Sequence, residues 1–139
     1  MSDPVSTGAS VLAFVLLGLK SVKVAHEILS NFKDGPENVK IARTDVENLR
    51  LVLERLSNCR LLDRSGNEAL RAAVDACLED IQSFAKKLKQ LVPEANSSRR
   101  SIYQKRFIAA WKEKTLSKIC VRLAYHTNNL NLHLNVLQR

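Results

Sequence analysis

The chain is short of turn-formers, aromatics and pairable cysteines. Four glycines and three prolines in 139 residues leave too few turn points for a many-stranded β-sandwich or barrel, and the 5% aromatic content argues the same way. Cys59, Cys77 and Cys120 are odd in number and 18 and 43 positions apart, so no CxxC metal or redox spacing exists. Each sits among apolar helical neighbours, which reads as reduced thiols in or near a core, in a reducing compartment. The first lysine, Lys20, follows the first apolar run instead of preceding it, so the basic start of a secretory signal is missing. Asn96-Ser97-Ser98 matches a glycosylation sequon, and without export it marks only a polar loop.

Catalytic signatures are also missing. There is no GxxxxGK[ST] loop, no HExxH and no Glu-x-x-His pair of the di-iron bundle type. The histidines are His26, His126 and His133, and no acidic residue follows Glu113 to complete a site with the last two. The expectation is a protein with no catalytic residue, no metal and no cofactor.

What is present is helix. Leu, Ala, Glu, Lys and Arg dominate, and the length suits one domain, residues 1–139, with one core. Residues 3–33 read as a first helix, with Asp34-Gly35-Pro36 as the stop. In residues 36–58, Val39, Ala42, Val46, Leu49, Leu53 and Leu56 form a heptad seam. Ser65-Gly66-Asn67-Glu68 fits a capping box ahead of a third helix. Its seam is Leu70, Val74, Cys77, Ile81, Phe84, Leu88 and Leu91, and Pro93 terminates it. Residues 99–114 are helical and very basic, with Tyr103, Phe107 and Trp111 four apart on one face. Residues 115–138 complete the set, through Leu116, Ile119, Leu123, Leu130, Leu134 and Leu137, with a break expected near 112–115. Within them, residues 130–136 alternate with period two, a strand signature, but no partner strand exists and the helical seam runs through the same stretch. These elements predict an all-α fold, an up-and-down four-helix bundle with room for a further short helix near Lys112.

Two compositional excesses carry the functional reading. The net charge is +8, and residues 93–126 hold Arg99, Arg100, Lys105, Arg106, Lys112, Lys114, Lys118 and Arg122 against only Glu94 and Glu113. A local patch of this kind attracts phosphates of anionic lipid or nucleic acid, or is simply a solvated helix face. No specific nucleic-acid partner is expected, because no reading module or interleaved aromatic set accompanies the patch. The second excess is residues 5–19. Val5, Val11, Leu12, Phe14, Val15, Leu16, Leu17 and Leu19 leave about three turns with no polar stripe. The run is too short to span a bilayer, which takes about 20 residues. It reads as a central buried helix, as a segment that leaves the bundle and enters a membrane, or as both in turn, buried at rest and released on activation.

Met1-Ser2-Asp3-Pro4-Val5-Ser6 leading into an Ala/Val/Leu-rich helix, then Asp34-Gly35-Pro36-Glu37-Asn38-Val39 before a helix with Leu49, Leu53 and Leu56, then Trp111-Lys112, Leu123 and Leu130-Asn131-Leu132-His133-Leu134, together resemble the fungal HeLo-like domain. That domain is the N-terminal domain of fungal STAND (NOD-like) receptors and of their cell-death effectors. The resemblance covers essentially the whole chain and is one of profile, without a catalytic signature. It implies a helical bundle of innate immunity and heterokaryon incompatibility. Such a bundle is cytoplasmic at rest, moves to the plasma membrane on activation, oligomerises and forms pores through its N-terminal helix. The implied partners are anionic phospholipid, further copies of the chain, and a STAND/NOD-like receptor or amyloid-signalling partner acting through a region absent from this sequence. An adaptor that binds other helices and never touches lipid is the competing expectation.

Overall fold

The computed structural model describes residues 10–31, 37–60, 62, 67–91, 105, 109, 111 and 114–138. Four long helices result: α1 (Val11–Ser30), α2 (Glu37–Ser57), α3 (Glu68–Leu91) and α4 (Thr115–Leu137). The all-α four-helix bundle expected from the seams is the fold observed. Every seam position of α2, and those of α3 up to Leu88, lies in the core. Val11, Val15, Gly18, Val22, Ala25 and Leu29 supply the matching stripe from α1.

The helix ends differ from expectation at two places. The first helix does not run unbroken from residue 3. Ser10 has extended backbone (φ −79°, ψ 162°) and its side chain accepts from the Ala13 N–H at 3.1 Å, so it caps α1 and the helix starts at Val11. The third helix starts at Glu68. Asn67 stands at the cap position, its carbonyl accepting from the Arg71 N–H at 2.9 Å, which shifts the cap two residues beyond Ser65. Ser65 itself lies outside the described residues. The expected break before the last helix is present: Lys114 has φ 70°, a left-handed conformation unusual for a residue with a Cβ, between helical Trp111 and Thr115.

The helices form a ring in which α1 and α4 each pack against both α2 and α3. Directions follow from specific contacts. A Cβ on Gly18 would meet Leu53 Cδ1 at 3.3 Å while His26 lies 3.5 Å from Glu47, so α1 and α2 are antiparallel. Arg71 lies over the Phe14 ring, and further along Lys20 and Val24 face Gln82 and Lys89, so α1 and α3 are parallel. Phe84 meets Trp111 edge-on at 6.2 Å while Asp80 meets His126, so α3 and α4 are antiparallel. The chain therefore runs up, down, up, down. However, α2 and α3, consecutive in the chain, sit across the diagonal instead of side by side. Their connection crosses one end of the bundle. Buried Leu62 anchors it in the core, and the Leu62 carbonyl accepts from Asn67 Nδ2 at 3.1 Å.

Cys77 and Cys120 are buried in this core. Burial first, and the nearby Asp80 charge second, push the Cys77 thiol up to about 12; burial and then Asp45 do the same for Cys120. A thiol held protonated is a poor nucleophile. Alkylation of the native protein at neutral pH is expected to modify half-buried Cys59 first and to reach Cys77 and Cys120 only on unfolding, read by mass spectrometry. Ionisation of these two thiols in the unfolded chain begins near 9.0, well before the folded values of about 12. Their contribution to stability is therefore complete below pH 9.0 and is lost as pH rises toward 12. Phe84 is fully buried, and Phe84→Ala is expected to cost about 3–5 kcal/mol, measured by urea unfolding with the fluorescence of the single tryptophan, Trp111, as probe.

Candidate functional site

The helical wheel of α1 divides its apolar residues in two. Val11 and Val15 enter the core, and Leu12, Phe14 and Leu19 are half-buried against it. Leu16 and Leu17 face solvent, each with about half its surface exposed. The segment is thus not a central buried helix. It is a wall of the bundle with an apolar outer surface. Val5 lies outside the described residues.

Leu17 opens onto a groove of about 370 Å³ between α1 and α3. Val24 and Ala85 give it apolar walls, and Lys20, Lys86 and Lys89 rim it. None of the lining residues is acidic, and none of the three lysines forms an ion pair with a described residue. Three cations around an apolar floor suit an anionic amphiphile: a phosphate at the rim and hydrocarbon beneath. Sequence reasoning missed this site because Lys86 and Lys89 look like an ordinary solvated stripe until α1 is placed beside them.

Of the basic patch read from residues 93–126, Lys114, Lys118 and Arg122 fall elsewhere. Lys105, Lys114 and Lys118 are exposed. Arg122 is exposed too, but its Nε donates to both carboxylate oxygens of Asp80 at 3.3 Å, so its charge is partly neutralised. Arg99, Arg100, Arg106 and Lys112 lie outside the described residues, as do Tyr103 and Phe107. Lys114, Lys118 and Arg122 belong to α4 and its cap, diagonal to α1. The structure does not bring them to Leu16 and Leu17; the cations beside those leucines are the groove lysines.

Two polar clusters tie helices together. His126, almost fully buried on α4, shares a hydrogen bond with Asp80 of α3 (Nε2 to Oδ2, 2.7 Å). The sequence offered His126 no nearby acid; the fold supplies one 46 positions away. Cys77 neighbours this pair, but its raised pKa makes it the reverse of an activated nucleophile. On the other side His26 of α1 faces Glu47 of α2, and Arg50 bridges Glu47 and Glu54. The Arg50 hydrogen bond holds the Glu47 carboxyl below its ordinary range, and Glu47 in turn pushes the Arg50 guanidinium up. Burial raises the Asp45 carboxyl beside Cys120. Among the described residues no three His, Cys, Asp or Glu side chains gather as a metal site. The chemistry on view is ionic and apolar contact.

No curated protein and no solved structure matches the chain. One family model does, that described as pigment biosynthesis cluster protein PigL N-terminal, and it aligns with residues 2–134. With nearly its whole length covered, the chain belongs to the PigL N-terminal family.

Proposed function

We propose that this domain is a HeLo-like, non-enzymatic module that binds anionic membranes through the α1/α3 face and, once assembled there, permeabilises them to cause cell death. The observation that carries the reading is the pairing of exposed Leu16 and Leu17 with a groove rimmed by Lys20, Lys86 and Lys89 and free of acids. Among the described residues no helix is long and apolar enough to cross a membrane. The apolar part of α1, residues 11–19, is only about 13 Å long at 1.5 Å per residue. A single copy therefore lies in the headgroup region with its leucines buried in the acyl boundary, and permeabilisation requires several copies. The domain would be cytoplasmic at rest and at the plasma membrane when active.

A second reading is a helix-binding adaptor that never meets lipid. The outer surface of α4 favours it, since Val121, Tyr125, Leu132 and Val136 are all exposed.

Vesicle binding separates the two. Each lysine near an anionic surface contributes about 1 kcal/mol. The triple variant Lys20→Ala, Lys86→Ala, Lys89→Ala is then expected to bind phosphatidylserine vesicles about 100-fold more weakly than wild type, by co-sedimentation at low salt. The triple variant Lys105→Ala, Lys114→Ala, Lys118→Ala, the last two on the side diagonal to α1, loses less. Leu16→Glu with Leu17→Glu is expected to keep the helical circular-dichroism signal and abolish dye leakage. Equal binding by wild type and the groove variant, or full leakage from the leucine variant, would sink this reading.

A further inference from the structure

The period-two alternation of residues 130–136 has a structural origin other than a strand. At 100° per residue, Leu130 and Leu134 point into the core, while Leu132 and Val136 point directly away from it. So α4 carries two apolar faces. Its outer face is Val121, Tyr125, Leu132 and Val136, with relative exposures of 71%, 64%, 65% and 61%. They fall within an arc of about 60° on the opposite side of the helix from the core seam. None of the four helices covers this arc, although each residue type in it is one a helix normally buries.

We propose that this face is a self-association surface, on which two copies of the chain pair their α4 helices antiparallel about a two-fold axis passing between Asn128 and Asn129. Three features select a second copy as the occupant. The spacing of the stripe, 4-7-4, is palindromic. Antiparallel overlay sets Val121 against Val136 of the second copy and Tyr125 against Leu132, so each apolar residue meets an apolar residue, as an isologous interface requires. The charges favour this direction over a parallel one, which would stack every cation on its own copy, although the antiparallel register brings Arg139 of one copy opposite Lys118 of the other. Lys114, Lys118 and Arg122 crowd one end, and no acid follows Glu113. Antiparallel pairing holds the two Lys118 side chains 21 residues apart along the axis, about 31 Å, whereas parallel pairing would stack them. The axis itself falls on the Asn128-Asn129 pair, whose amides both donate and accept and so suit hydrogen bonding to their own copies.

The neighbouring groove extends the face. It has a volume of about 300 Å³ and runs between α2 and α4, with Ile41, Trp111, Val121 and Ala124 among its lining residues. It lies beside Val121, where the C-terminal end of the second α4 arrives. One helix stripe per copy buries less than the roughly 800 Å² per partner of a standard stable interface, so the dimer is weak and concentration-dependent.

Sedimentation equilibrium on the whole chain without lipid tests the pairing, and its result does not depend on the membrane reading. A reversible monomer–dimer equilibrium is expected for wild type. Tyr125→Glu with Leu132→Glu is expected to be monomeric at every concentration, with unchanged helical content because both residues are exposed. Direction is read by cross-linking in a Cys59→Ser background. Under mild oxidation Asn128→Cys is expected to form a disulfide-linked dimer and Lys118→Cys is not. A wild-type chain that stays monomeric throughout, a glutamate variant that dimerises like wild type, or cross-linking of Lys118→Cys as efficient as that of Asn128→Cys would overturn the proposal.

Discussion

The surface chemistry of this bundle depends on how one connection crosses one end. Between α2 and α3 the chain passes to the diagonal position, and Leu62 of this connection is seated in the core. Parallel helices thereby become neighbours: α1 beside α3, and α2 beside α4. Had each helix packed against the next in sequence, α1 would adjoin α4, and the apolar N-terminal segment would lie against the basic residues of Lys114 to Arg122. The crossing separates them. It sets Leu17 and Lys20 beside Lys86 and Lys89 instead, and it leaves the outer face of α4 clear of α1.

Polar side-chain contacts join the helices at three of the four helix–helix seams, one of them an exposed hydrogen bond donated by Arg55 of α2 to Gln138 Oε1 at the end of α4 (3.2 Å). Asp80 and His126 join α3 to α4 in a largely dry setting, where a lost partner would leave a buried polar group unsatisfied. The His26–Glu47–Arg50–Glu54 network joins α1 to α2 at the half-exposed surface, where water screens it and its worth is small. The remaining adhesion is the apolar core, to which α1, α2 and α3 each bring an unbroken stripe at 3-4 spacing and α4 one interrupted by buried His126 and Thr127. A bundle so held keeps its surplus apolar residues on the outside: Ile41 and Leu51 on α2, and the larger surfaces on α1 and α4. Those two surfaces lie on opposite sides of the ring, so a membrane-facing role for one leaves the other open to a second copy.

Much of the fold was legible in the sequence because burial on a helix leaves a periodic trace. The seams of α2 and α3 picked out most of their buried residues, missing Ala73, Leu78 and Ala85 and including half-buried Leu91, and the break at Lys114 was visible as a lapse in the pattern. Ser10 was harder to see as a cap, because Ser6, Thr7 and Ser10 itself all offer a hydroxyl ahead of the apolar run that starts at Val11. The candidate site was legible only in half. Leu16 and Leu17 stood out, but their burial or exposure depended on what packed beside α1. Lys86 and Lys89 carried no signal, since exposed lysines at helical spacing are the commonest surface pattern there is. Asp80 as the partner of His126, 46 positions away, was beyond any local rule. The alternation at residues 130–136 was a true signal of a second apolar face, though its period matched that of a strand.

By itself the sequence determined that this protein is helical, that it has four long helices, and which stripe of α2, α3 and α4 is buried. It also determined that apolar and basic residues are in surplus at opposite ends of the chain. Those properties follow from backbone propensity and from the 3.6-residue period, both of which act within one helix. Only the tertiary structure decided which helices are neighbours, and therefore which surplus residues share a surface. The reason is that apolar burial is non-directional. A heptad seam states that it must be covered but not by what, and the choice fell to the length of one connection and to the few polar and steric contacts, at Leu62, Gly18 and Asp80, that distinguish one neighbour from another.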